Sequence, residues 1–230
     1  MPDLIHPRNM KHHLIRSARL LVAFLATALT SRGAVVIDNL TIGSQSSSQS
    51  LSGPSAVSGF FGAPFPDREV AFSFLTGNSQ YQLNSLEFAV AIGGGSLSPI
   101  MVTLSTGTLA PGGINPFSLG MVAPTSNSPT NQILAIVPTT ATILEANTLY
   151  WIHYTVPTGN ALYSIANSNT PTVDPGWTLG NSWSRTPTSP WSELDSGPVA
   201  RIRMTVTAIP EPAASLLGGI GCLLLLRRRR

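Results

Sequence analysis

A chain of 230 residues with 10% charged side chains and a single cysteine carries little of the apparatus of a cytosolic enzyme, whose charged fraction is typically about 25%. Its formal charge of +3 does not mark a nucleic-acid binder. Of 13 basic residues, five (Arg8, Lys11, Arg16, Arg19, Arg32) sit near the N-terminus and four (Arg227, Arg228, Arg229, Arg230) end the chain. Between Ala34 and Ile209, four arginines (Arg68, Arg185, Arg201, Arg203) meet eight carboxylates, a net charge of −4, which argues against DNA or RNA as a partner.

Residues 1–33 have the three parts of a secretory signal peptide. Lys11, Arg16 and Arg19 form a positive start, Leu20 to Leu29 an apolar stretch too short to span a bilayer, and Ser31-Arg32-Gly33-Ala34 a small-residue exit. Cleavage after Gly33 places Ser31 and Gly33 at the two positions that want small side chains; cleavage after Ala34 places Arg32 at one of them. Translation can begin at Met1 or at Met10, which is followed at once by Lys11. The partners implied are a Sec translocon and a signal peptidase.

Residues 34–209 read as one all-β domain. Candidate strands are 35–42, 69–76, 82–92, 100–105, 132–137, 149–156, 161–166 and 199–208. Val70, Phe72 and Phe74 share one parity, as do Leu86, Phe88, Val90 and Ile92, and Ile202, Met204 and Val206 oppose Arg201, Arg203, Thr205 and Thr207. That alternation predicts half-buried antiparallel strands. Gly93-Gly94-Gly95 and Pro111-Gly112-Gly113 mark turns, and no stretch of the domain has a capped helical period. The expected fold is an antiparallel β-sandwich of jelly-roll type, followed by a short C-terminal transmembrane helix.

Two segments read as irregular: 43–66, a long Ser/Gly-rich loop with one short strand, and 167–198, which holds Trp177, Trp183 and Trp191 among Pro, Ser and Asn. Tryptophans spaced this way can form a glycan-binding platform, because their faces stack on sugar rings, or can cover the end of the core.

Catalytic chemistry finds few candidates. His6, His12 and His13 precede the domain, leaving His153 alone on a strand, where a structural role is the expectation. Glu193 and Asp195, with Asp174 upstream, are the best carboxylate cluster for glycoside hydrolysis or calcium, but without the spacing of a calcium loop. Asp67, Arg68 and Glu69 read as a solvated charge cluster. No Gly-x-Ser-x-Gly, P-loop or dinucleotide fingerprint is present, so no catalytic residue, metal or cofactor is expected. Cys222 lies in the C-terminal apolar run, so the domain can hold no disulfide; the residue reads as a small apolar side chain rather than a lipidation site.

The end of the chain has Pro210-Glu211-Pro212, an apolar run over residues 213–226, then Arg227 to Arg230. The prolines end the strand domain, the apolar run is shorter than a comfortable span, and the arginines halt translocation and stay cytoplasmic. This ordered set, residues 210–230, resembles the PEP-CTERM sorting signal. The resemblance implies that an exosortase, a membrane-embedded transpeptidase, recognises Pro210, Glu211 and Pro212 and cuts near them. The protein would pass through the inner membrane and end at the cell surface or outside the cell, in contact with exopolysaccharide. Three segments of the domain, AFSFLTG at 71–77, YQLNSLEFAV at 81–90 and LEANTLYWIHY at 144–154, resemble choice-of-anchor domains, most nearly type R. In the last, Asn147-Thr148 makes a turn, and Tyr150 and Trp151 start a strand with one ring on each face. That resemblance implies a displayed β domain without established catalytic residues. The sequence thus supports a sorted structural or interaction protein first, a surface carbohydrate-binding module or adhesin using the tryptophans second, and a glycosidase or lyase last.

Overall fold

Alternating apolar side chains leave each strand with one face to bury, and the chain solves this with two antiparallel sheets. The computed structural model describes residues 33–40, 47–56, 66–107, 111, 114–127, 130–168, 172–194, 199–210 and 221. Its contacts separate residues 1–32 with 209–230 from the unit Gly33–Ala208, to which all the strands belong. Residues 1–32 of the expected signal peptide, Glu211, Pro212, Arg227 to Arg230 and, apart from Gly221, the expected transmembrane segment lie outside the described residues. Among the described residues no helix is long and apolar enough to cross a membrane.

In chain order the strands are β1 (Ala34–Asp38), β2 (Ser47–Ser52), β3 (Glu69–Leu75), β4 (Tyr81–Gly94), β5 (Ile100–Thr106), β6 (Ile114–Val122), β7 (Gln132–Ile136), β8 (Thr142–Leu144), β9 (Leu149–Thr155), β10 (Leu162–Ser168), β11 (Thr178–Arg185), β12 (Ser192–Glu193), β13 (Val199–Ala200) and β14 (Ile202–Ala208). One sheet has the order β1-β14-β4-β10-β13, with β2 added to β10 and β7 and β8 to β4; the other runs β12-β11-β3-β9-β5-β6. Every pairing between these strands is antiparallel.

The parities read from sequence are the parities of the core. Val70, Phe72 and Phe74 on β3, Leu86, Phe88 and Val90 on β4, and Ile202, Met204 and Val206 on β14 all belong to a single apolar cluster built from both sheets. Leu83 joins them although it has the opposite parity to Leu86. Val206 pairs with Leu83 and Thr205 with Ser85, so Asn84 is an extra residue and the strand turns over at a bulge.

Several elements differ from the sequence reading. The stretch 167–198 is not irregular throughout: it contains β11, eight residues long, and the short β12. The sequence conceals β11 because its core-facing residues include Ser182 and Ser184, and because a bulge between Leu179 and Ser182 breaks its period. β6 was also unpredicted. It carries Pro116 and Gly120, yet it is an edge strand, where a missing N–H costs no ladder bond, and Gly120 takes a φ of 138° at an irregularity in its pairing with β5. The turn before β9 is as the residues predict: Asn147 takes a φ of 48°, Tyr150 points into the core, and Trp151 lies on the opposite face.

Candidate functional site

The outer face of the six-stranded sheet is where the polar and aromatic residues left over from the core collect. On β3 it presents Ala71 and Ser73, on β9 Leu149, Trp151 and His153, and on β11 Trp183 and Arg185, because each is one residue out of step with a core side chain. Ala71 and Ser73 are small, which leaves room for the indoles of the flanking strands. Trp151 and Trp183 meet edge to face, with ring centroids 5.9 Å apart.

Beside them lies an open cleft of about 290 Å³, lined by Ser73, Leu149, Trp151, Gly180, Asn181, Trp183 and Glu193. Its polar rim is a product of the β11 bulge. Gly180 and Asn181 together oppose Ser73, since Leu179 pairs with Phe74 and Ser182 with Phe72. A side chain at residue 180 would collide with Ser73 Oγ as it is placed, so glycine allows the close approach without displacing Ser73. The exposed Asn181 Nδ2 donates to Glu193 Oε1, and β12 pairs Glu193 with Trp183. Indole, amide and carboxylate thus sit side by side.

Beside the cleft, the Arg185 guanidinium donates to Glu69 Oε2 at 2.7 Å and lies 4.6 Å from the Trp191 ring centroid. Trp191 meets His153 edge to face at 5.5 Å. Burial, and secondarily the Arg185 charge, pull the His153 pKa down to about 4, so the ring is neutral at physiological pH. Its Nε2 is 2.8 Å from Ser105 Oγ. The pair has the separation of a nucleophile and its base but not the setting. Ser105 is 1% exposed near the end of β5, and His153 is flanked by a cation rather than oriented by a carboxylate. The contact fits the structural role expected for His153.

The three tryptophans, open in the sequence to a shared platform or to a cover for the core, are divided. Trp177 is not part of any platform: it is 3% exposed, stacks on Phe74 at 6.1 Å and tilts against Tyr81 at 5.0 Å within the core. The turn Asp174–Trp177, closed by Trp177 N–H donating to Asp174 O and using Gly176 at a φ of 86°, directs the ring inward. Trp183 lines the cleft, and Trp191 stands next to it, both on or beside strands rather than in loops. Trp151, a cleft residue that the sequence showed only as a strand aromatic, was missed; its parity opposite Tyr150 and Ile152 was the available signal.

The carboxylates are divided too. Glu193 is at the cleft; Asp174 is exposed on a segment bridged to Val36 and is not a lining residue; Asp195 lies outside the described residues. Among the described residues no three His, Cys, Asp or Glu side chains converge as a metal site would require. Pro210 is exposed directly after the strand domain.

No family model matches the chain, and no curated protein matches it. Among solved structures it is similar to a chain of the Broad Bean Stain Virus structure determined by cryo-electron microscopy. The identity is 12% and the TM-score 0.22, over 69% of this chain and 100% of that one; a TM-score so low carries no argument about fold or function.

Proposed function

We propose that this is an exported bacterial protein, sorted by an exosortase-type transpeptidase and displayed at the cell surface or released outside, where its β domain has a structural or interaction role rather than a catalytic one. The observation that carries the reading is the order of the two ends: a positive, apolar, small-residue leader at residues 1–33, and Pro210-Glu211-Pro212, an apolar run and four arginines at residues 210–230. A helix over residues 213–226 would hold the chain in the inner membrane until the motif is cut. The two sheets are read as a β-sandwich, since one apolar cluster draws on both, and as jelly-roll-like, since the chain passes from sheet to sheet between β2 and β3, β3 and β4, β4 and β5, β6 and β7, β8 and β9, β9 and β10, β10 and β11, and β12 and β13.

Intact-mass measurement of the protein recovered from its native host tests this. A mass lacking the leader and everything beyond about residue 212 is expected. A product in the cytosol with both ends intact would refute the proposal, and an exported product that keeps Arg227 to Arg230 would remove the sorting step from it.

A further inference from the structure

We infer that the cleft lined by Trp183, Leu149, Asn181 and Glu193 is a binding subsite for a neutral saccharide. The site belongs to the β domain and does not depend on how the chain is exported. A pyranose ring has an apolar face of C–H groups and a rim of hydroxyls, and the cleft offers both counterparts. Trp183, half-buried, and Leu149 give apolar surface; Ser73, Asn181 and Glu193 supply hydroxyl, amide and carboxylate groups within the same depression. The bond from Asn181 Nδ2 to Glu193 Oε1 fixes the two polar groups relative to each other, leaving Glu193 Oε2 and Asn181 Oδ1 as acceptors for adjacent hydroxyls. A sugar hydroxyl offers both a donor and an acceptor, so one ring can answer the whole rim.

Size and charge narrow the ligand. At about 290 Å³ the cleft is at the lower end of small-molecule sites, which start near roughly 300 Å³, and it is open to one side. That suits one ring of a longer glycan lying across the sheet. None of the lining residues is cationic, and the nearby Arg185 is already held by Glu69 and Trp191. With Glu193 at the rim and a net charge of −4 over residues 34–209, a uronate, sulfate or phosphate would be repelled. The construction also points to a ligand. The bulge that delivers Asn181 interrupts an otherwise regular ladder, as bulges do where a side chain must be re-aimed.

The test is isothermal titration of the purified full chain, held in a detergent without a sugar head group. The probes are soluble cello-, xylo-, manno- and chito-oligosaccharides, with polygalacturonate and alginate oligomers as acidic counterparts. A neutral member is expected to bind and to shift the tryptophan emission. Glu193→Gln, Asn181→Ala and Trp183→Ala should each raise its Kd by about tenfold or more. Met121→Ser, on the exposed edge strand β6, should leave the Kd unchanged. Glu193 and Asn181 are exposed, so their variants carry the test if Trp183→Ala loses its near-ultraviolet circular dichroism. The inference is overturned if no neutral oligomer binds, if only the acidic ones do, or if binding survives both Glu193→Gln and Asn181→Ala.

Discussion

Asn39 shows how much one polar side chain can hold in place. It is 0% exposed at the end of β1; its Nδ2 donates to Ala200 O at 2.8 Å, and its Oδ1 accepts from Ile202 N–H at 2.6 Å. It therefore spans Arg201, where β13 gives way to β14. Asn39→Ala strands a buried donor and a buried acceptor and should cost roughly 2–4 kcal/mol in chemical denaturation; a loss under 1 kcal/mol would mean that neither bond matters. His153 gives a pH dependence of definite sign. Its folded pKa of about 4 lies below the free value of 6.5, so in that window the unfolded chain takes up a proton that the folded ring excludes. Stability should fall by about 3 kcal/mol as pH drops through the window, then level off below it. Arg185, Trp191 and Ser105 face the ring, and Glu69 neutralises Arg185. Thermal melts of the native chain against His153→Gln isolate this contribution from the carboxylates, and parallel curves would refute it. The tryptophans show where sequence stops informing. Nothing in the spacing of Trp177, Trp183 and Trp191 reveals that the first is packed on Phe74 and the second lines a cleft. Trp177→Ala should accordingly cost about 3–5 kcal/mol as a core cavity, and Trp183→Ala clearly less.

At the scale of elements, legibility followed burial. β3, β4, β9 and β14 were plain in the sequence because large apolar residues alternate along them and point into one cluster. β6 and β11 were not, since an edge strand tolerates Pro116 and a strand facing the core with Ser182 and Ser184 has no apolar alternation to read. The site suffered the same way: Asn181 reaches the cleft only because β11 bulges, and a bulge is a property of two paired strands rather than of one sequence. Gly180 is the residue on which that bulge turns. Gly180→Ala forces its new methyl against Ser73, and either Ser73 must rotate or β3 and β11 must part. The expected cost is about 1–3 kcal/mol. Ser73→Ala removes the colliding oxygen, leaving its own Cβ 3.3 Å from the added methyl carbon, so the double variant should recover much of the loss. Simple additivity of the two substitutions in a double-mutant cycle would show that the close approach is not what demands glycine.

For the whole molecule, the proposed topology rests on the contest between an apolar stub and the charges behind it. Residues 213–226 are fourteen in number, hold no charged side chain and are greasy enough to enter a bilayer, whereas each arginine drawn to the bilayer centre costs about 2.5–3.5 kcal/mol. Four in succession would make passage prohibitive, even allowing for snorkelling, so in the proposed topology the chain ahead of them is left outside with its tail held. Replacing Arg227 to Arg230 with serine lowers that barrier steeply without touching the strand unit Gly33–Ala208. The variant should therefore appear uncut in the external medium, carrying its Pro210-Glu211-Pro212 motif, with the near-ultraviolet circular dichroism of the native domain. Glu211→Ala alone should behave oppositely, accumulating uncut in the membrane fraction, because the arrest is intact and only recognition is impaired. Fractionation with immunoblotting, followed by intact-mass measurement, separates the two outcomes. If the serine variant stays in the membrane as firmly as the native precursor, the arginines are not what stops the chain, and the apolar run must be acting as an anchor by itself.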